Sequence, residues 1–243
     1  LHNMRRAYAF YRRRRNSRVD FAVASRKLVF LEQFARAAFL SGVPDDATTG
    51  YREAIELAGE LGAVGRLPWL NASLGATRQV AGDHQGALDA HRRACELYAG
   101  QERSDKLATC RRNVAYNLYQ LGRYKDALLE FSRARKLLER RGPGGVEGSQ
   151  VAVSLEASAS RAAFGFDHQA EMNFLSTYQA RLYRRAGDLD RARSSLEEKV
   201  AVLRRRVAQQ QRLDLRLDLA IAVNHLAMLA LQGNEERKAA ALF

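Results

Sequence analysis

Residues 71–83 read NASLGATRQVAGD, and residues 113–124 read NVAYNLYQLGRY. The glycines near the ends of these stretches, Gly82 and Gly122, are 40 residues apart. In both copies a small residue stands seven positions before the glycine, and alanines follow it by five and by twelve positions. Closely packed antiparallel helices need small residues where their backbones approach and a glycine where the chain reverses. The spacing therefore predicts a repeated pair of helices.

Three further copies flank these two. The copy around Gly187 keeps the offsets of seven and five, another begins at Asn224, and a degenerate copy around Gly42 precedes all the others. The pattern resembles the tetratricopeptide repeat, in the long-helix form of kinesin light chains and bacterial signalling proteins. The resemblance implies an all-α fold, a right-handed superhelical solenoid of antiparallel helix pairs.

Single residues add local predictions. Asp83 and Asp188 directly follow turn glycines, where a carboxylate can accept hydrogen bonds from the free N–H groups that open the second helix. His91 occupies a position where the repeat usually carries an aromatic residue, so we expect a packed structural histidine. Cys95 and Cys110 lie on neighbouring predicted helices without a CxxC motif, and we expect free buried thiols.

The chain of 243 residues shows four compositional regions. We expect a basic N-terminal segment, repeats one to three, a Gly/Ala/Ser-rich insertion, and repeats four and five, with the last repeat cut within its second helix. The corresponding ranges are 1–25, 26–141, 142–167 and 168–243.

Composition narrows the class of protein. Of the net charge of +13, residues 1–28 hold +8, so the basic character belongs mainly to one end. An apolar fraction of 47% and three prolines suit a helical globular protein. No run of apolar residues is long enough for a membrane span or a signal peptide, and we expect a soluble, cytoplasmic protein.

No pattern in the sequence indicates catalysis. The five histidines form no HExxH motif, and Gly142–Gly148 lacks the Gly-Lys-Ser/Thr ending of a phosphate-binding loop. Acidic pairs such as Asp188 and Asp190 fall at helix starts, where capping explains them. We therefore expect a protein that is not an enzyme, with no catalytic residue, no metal site and no cofactor.

The resemblance also implies a partner-binding face, because the first helix of each tetratricopeptide pair lines a concave groove. Guanidinium groups bind carboxylates and aromatic rings supply rigid contact area, so this face suits an acidic protein or peptide. A solvated arginine face with buried tyrosines stays as the alternative. The Lys and Asn pattern of the family's carboxylate clamp is not met. The predicted binding residues are Arg112, Tyr116, Tyr119, Phe174, Arg181, Arg184 and Arg185, and the flanking groove positions are Thr109, Thr177, Trp69, Ala72, Ala76 and Gln79.

A second candidate surface is the N-terminal segment, which interleaves aromatic residues with arginines. The consecutive Arg12, Arg13, Arg14 and Arg15 could neutralise phosphates of a nucleic acid or another anionic surface. In the competing interpretation, Tyr8 and its aromatic neighbours Phe10 and Tyr11 pack on the first repeat. Three functions follow as hypotheses: a protein-interaction scaffold, an anion binder acting through this segment, and the sensor or regulatory array of a larger protein.

Overall fold

The structure is a computed structural model that describes residues 1–13, 21–101, 104–141, 168–210, 213–233 and 239. Ten α-helices form this described part of the protein. They are α1 (His2–Arg13), α2 (Phe21–Leu40), α3 (Pro44–Glu60), α4 (Leu67–Val80), α5 (His84–Ala99), α6 (Ser104–Gln120), α7 (Tyr124–Arg141), α8 (His168–Arg185), α9 (Leu189–Gln210) and α10 (Leu213–Gln232). Within these ranges no strand occurs, and no helix combines the length and apolar character needed to cross a membrane. The all-α prediction is confirmed.

The chain divides into two compact units, Leu1–Phe166 and Asp167–Phe243. In the first unit the short turns pair α2 with α3, α4 with α5 and α6 with α7, and neighbouring pairs also contact each other. In the second unit α9 packs against both α8 and α10. The predicted insertion at 142–167 lies outside the described residues.

Glycines end the first helix of the pairs, as the repeat pattern predicts. Gly82, Gly122 and Gly187 have φ angles of 80°, 76° and 78°, a left-handed conformation that glycine adopts without a steric cost. After the first of these turns, an Asp83 carboxylate oxygen accepts a hydrogen bond of 2.9 Å from the Gly86 N–H and caps α5. The predicted capping role of this aspartate is confirmed.

The small residues of the repeat form the core of the helix pairs. Ala87, Ala94, Ala127 and Ala134 are completely buried, which lets the backbones of paired helices approach closely. His91 is also completely buried, so the prediction of a packed structural histidine is confirmed.

Helix α1 docks on the first helix pair. The ring of Tyr8 stacks on Phe34 with ring centroids 4.7 Å apart, and its hydroxyl donates a 2.7 Å hydrogen bond to Glu53 on α3. The Arg5 guanidinium pairs with the Asp46 carboxylate. These contacts agree with the packing interpretation of the segment.

The expectation of free thiols is wrong, because the structure joins Cys95 and Cys110 in a disulfide. Helices α5 and α6 pack side by side and bring the two Cα atoms within 5.6 Å, a separation that a disulfide spans. Both residues are buried. The Cys110 sulfur also lies 2.9 Å from the His91 carbonyl oxygen, to which a reduced thiol could donate a hydrogen bond.

Candidate partner-binding surface

In the first unit the predicted binding residues lie on α6 and contact their own helix or its neighbours. Arg112 donates through Nε and Nη2 to the Asn113 side-chain oxygen, at 3.1 and 2.8 Å. The Tyr116 ring meets His84 edge-on at 6.4 Å, and the Tyr119 ring lies 5.7 Å from that of Tyr124. All three predicted side chains are half-buried, so each keeps an accessible part.

A buried amide links α4, α5 and α6 beneath this face. Asn117 donates hydrogen bonds to the Gln79 side-chain oxygen at 2.8 Å and to the Asn113 carbonyl at 2.9 Å. Its own oxygen lies 3.1 Å from Nδ1 of His84, which donates when that nitrogen carries the proton. The network fixes the register of the first helices of two successive repeats.

Some expected groove positions are not surface positions. Ala72, Ala76 and Thr109 are 1%, 7% and 5% exposed, because neighbouring helices cover these faces of α4 and α6. Trp69 stays partly exposed and packs edge-on against Tyr51, with ring centroids 6.1 Å apart. The accessible face of α4 is therefore narrower than the repeat pattern predicts.

In the second unit an aromatic and arginine column runs along α8. The rings of Phe174 and Tyr178 lie 4.5 Å apart, and the Arg181 guanidinium stands over the Tyr178 ring at 5.3 Å. These three side chains are half-buried, whereas Arg184 and Arg185 at the end of the helix are exposed. Cation–π stacking holds the Arg181 head group in place next to the rings.

A buried lysine from α9 lies beside this column. Lys199 is 8% exposed, and its ammonium donates a 2.7 Å hydrogen bond to the Thr177 hydroxyl oxygen. That hydroxyl donates in turn to the Asn173 carbonyl at 2.8 Å. Its proton is thereby committed, and the hydroxyl can only accept from the lysine.

Charged groups of both signs act on Lys199 and its neighbour His225. Burial lowers the pKa of Lys199, Asp218 on α10 raises it, and Arg181 lowers it further. Burial also lowers the pKa of His225 on α10, and so do the charges of Arg181, Lys199 and Arg184. Basic groups from three helices therefore lie within electrostatic range of one another, with Asp218 as the acidic group that acts on the lysine.

Neither Lys199 nor His225 belongs to the predicted binding residues, because Lys199 lies on the second helix of its pair and His225 has no metal-ligand or catalytic spacing to another residue. A signal was present. The buried face of α9 reads Ala192, Leu196, Lys199 and Leu203, so a lysine stands at helical spacing within an apolar stripe.

A cavity of about 490 Å³ in the first unit lies away from the predicted residues, between α5, α6 and α7. Its walls carry both signs of charge, and Arg111 forms a 2.9 Å ion pair with Glu130. Paired charges of both signs do not select an acidic partner. The charged residues of its lining are Arg92, Glu96, Arg111, Arg123, Asp126 and Glu130.

The arginine run of the N-terminal segment is not described at the side-chain level. The backbone of Arg12 and Arg13 belongs to α1, and Arg14 and Arg15 lie outside the described residues. Within the described part of the chain, no group of three histidines, cysteines or carboxylates could hold a metal ion.

Solved structures resemble the chain in fold. RapI in its apo form has a TM-score of 0.69 at 10% identity, over 97% of this chain and 56% of its own. The quorum sensor NprR from B. thuringiensis has a TM-score of 0.64 at 15% identity, over 90% of this chain and 52% of its own. The chain thus spans about half the length of each.

A Podosopora anserina kinesin light chain with TPR-like repeats has a TM-score of 0.59 at 16% identity, over 90% of this chain and 92% of its own. No protein-family model and no curated protein matches the sequence. These likenesses agree with the helix pairs, the turn glycines and the buried alanines of the structure. The chain therefore has the tetratricopeptide-type helical repeat fold.

Proposed function

We propose that the protein is an interaction scaffold that binds an acidic segment of a partner protein on the first helices of its repeats. The observation that supports this best is the column of Phe174, Tyr178 and Arg181 on α8. Stacked side chains lose little conformational entropy on binding, and tyrosine and arginine are enriched among the residues that dominate interface energetics.

The positive charge of the arginines on α8 favours an acidic partner. Arg184 and Arg185 extend the column into solvent, and a guanidinium group can bind a carboxylate through two parallel hydrogen bonds. An acidic peptide that runs along α8 from its N-terminal to its C-terminal end would contact the aromatic rings first and the arginines next. Arg112, Tyr116 and Tyr119 offer a similar combination on the first unit, as an independent surface.

Fold-level likeness supports a regulatory setting for this activity. NprR is a quorum sensor, and this chain spans 52% of it. We therefore propose the scaffold as the binding region of a larger regulatory or signalling protein. The nucleic-acid alternative stays a prediction that depends on Arg12 to Arg15: replacing these four arginines with serine should abolish any retention on nucleic acid, and unchanged retention would exclude it.

The test is binding to a peptide array that contains acidic, neutral and basic sequences at one fixed ionic strength. Acidic peptides should be retained, and the double variant Arg181→Gln/Arg184→Gln should weaken their binding about tenfold or more. The matched control, Arg204→Gln/Arg205→Gln, removes the same charge from exposed positions of α9 and should retain most of the binding. Equal loss in both variants, or a preference for neutral peptides, would contradict the proposal.

A further inference from the structure

The burial of the charged Lys199 side chain costs folding free energy. The residue is more than nine-tenths buried, and its ammonium donates to the neutral Thr177 hydroxyl. Among the described residues no carboxylate lies within ion-pair distance of it. A buried charge is normally paired, because removal from water disfavours the charged form.

Charged groups of both signs lie on the helices packed against Lys199. Thr177, Arg181 and Arg184 follow one another at spacings of four and three on α8, so they share one face. His225 stands seven residues after Asp218 on α10, again on one face. Asp218 acts on the lysine more strongly than Arg181 does, but burial has the largest effect and disfavours the charged ammonium.

We infer that Lys199 and Arg181 form a recessed subsite that takes one carboxylate side chain of the acidic segment. This inference rests on the proposed function. The ammonium uses one of its three N–H groups on Thr177 and has two left to donate to an oxygen anion. Arg181 is half-buried beside it and can contact the same carboxylate from the side of α8. The geometry differs from a clamp built on first helices, because its lysine belongs to the second helix of a pair.

A structural lysine and a binding lysine respond oppositely to Lys199→Met. If the hydrogen bond to Thr177 stabilises the fold, methionine should lower the unfolding temperature. If the lysine is kept for a ligand, removing a buried charge that forms no ion pair should leave the ligand-free protein equally or more stable. Binding should then weaken without any loss of folding.

The experiment measures fluorescence anisotropy of a labelled peptide of alternating glutamate and serine at constant ionic strength. A glutamine and serine peptide and a phosphoserine and serine peptide are the comparisons. Wild type should bind the glutamate peptide, Lys199→Met should bind it about tenfold more weakly, and the exposed control Arg205→Met should differ by less than about threefold. The unfolding temperature of Lys199→Met without peptide should equal or exceed that of the wild type.

Each contrary outcome has a separate meaning. Glutamate binding that requires Arg181 and Arg184 but not Lys199 would overturn the subsite and leave the scaffold intact. Binding that no arginine on α8 affects would overturn the scaffold itself. Tighter binding of the phosphoserine peptide through Lys199 would replace the carboxylate by a phosphate. A destabilised Lys199→Met variant with unchanged affinity would make the lysine structural.

Discussion

The imidazole ring of His91 on α5 lies directly against the backbone of Gly75 on α4. A Cβ atom added to this glycine would come within 2.7 Å of two ring atoms, closer than real Cβ contacts allow. The ring is completely buried. The absence of a side chain at one residue therefore makes space for the ring of the other.

Gly75→Ala should destabilise the first unit. Overpacking of this kind typically costs about 1–3 kcal/mol, which outweighs the gain of about 1 kcal/mol that alanine brings to a helix interior. The matched control is Gly59→Ala in α3, where an added Cβ meets nothing within 4 Å, and this variant should be slightly stabilised. Urea unfolding of the two variants gives the comparison, and an equal gain in both would show that the ring moves freely.

The stability of the first unit should depend on pH through His91. Burial, with a smaller contribution from Arg112, lowers the pKa of its imidazole from 6.5 to about 3. Between these values the unfolded chain binds a proton that the folded chain rejects, so stability is complete above pH 6.5 and is lost as pH falls toward 3. The slope is about 1.4 kcal/mol per pH unit for one such group.

Substitution of His91 tests whether this residue causes the dependence of the unfolding free energy on pH. In His91→Phe the free energy of unfolding should fall less between neutral pH and about pH 5 than in the wild type, by up to about 2 kcal/mol. The exposed His2→Gln serves as control and should keep the wild-type slope. Parallel pH profiles for wild type and His91→Phe would contradict the assignment.

The turns and the core of this fold could be predicted because their requirements are local. A left-handed φ near 80° at Gly82 and the capping oxygen of Asp83 depend on the residue types alone. The buried alanines could be predicted as well, because the repeat places small residues where the backbones of paired helices approach.

The surfaces could not be predicted because they depend on which faces of two helices meet. Ala72 and Thr109 follow the spacing of groove residues, yet neighbouring helices cover them. Lys199 stands in the apolar stripe of α9, but its contact with Thr177 depends on the packing of α8 against α9. The Cys95–Cys110 bond likewise needs the packing of α5 on α6.

The buried amide of Asn117 should couple two successive repeats. Asn117→Ala removes both hydrogen bonds of its amide nitrogen and leaves the Gln79 oxygen without that donor, at a cost of about 1–3 kcal/mol. A double-mutant cycle with Gln79→Ala should return a coupling energy of at least about 0.5 kcal/mol in urea unfolding. The control is Gln120→Ala at an exposed position of the same helix, which should leave the free energy of unfolding nearly unchanged. Strict additivity would mean that the contact adds nothing.

The cysteine pair should be oxidised in protein purified without reductant. Neither thiol should then react with an alkylating reagent under denaturing conditions, and both should react after reduction, as mass spectrometry would show. Because the bond joins residues 15 apart, the variant Cys95→Ala/Cys110→Ala should lose about 3 kcal/mol. Alkylation before reduction would show instead the reduced pair, in which Cys110 donates to the His91 carbonyl.

Helix α1 should be held on the first unit mainly by Tyr8. Tyr8→Phe keeps the stack on Phe34 and removes the hydrogen bond to Glu53, so it should cost about 1 kcal/mol. Tyr8→Ala removes both and should cost more, because a stacked aromatic pair contributes beyond its buried area.

The measurement is amide hydrogen exchange of residues 2–9: protection should fall slightly in the first variant and largely in the second, while α4 and α5 stay protected. Arg6→Gln, at an exposed position of the same helix, should leave exchange unchanged. If the alanine variant exchanges like the wild type, the ion pair of Arg5 with Asp46 holds the helix instead, and Asp46→Asn should then release it.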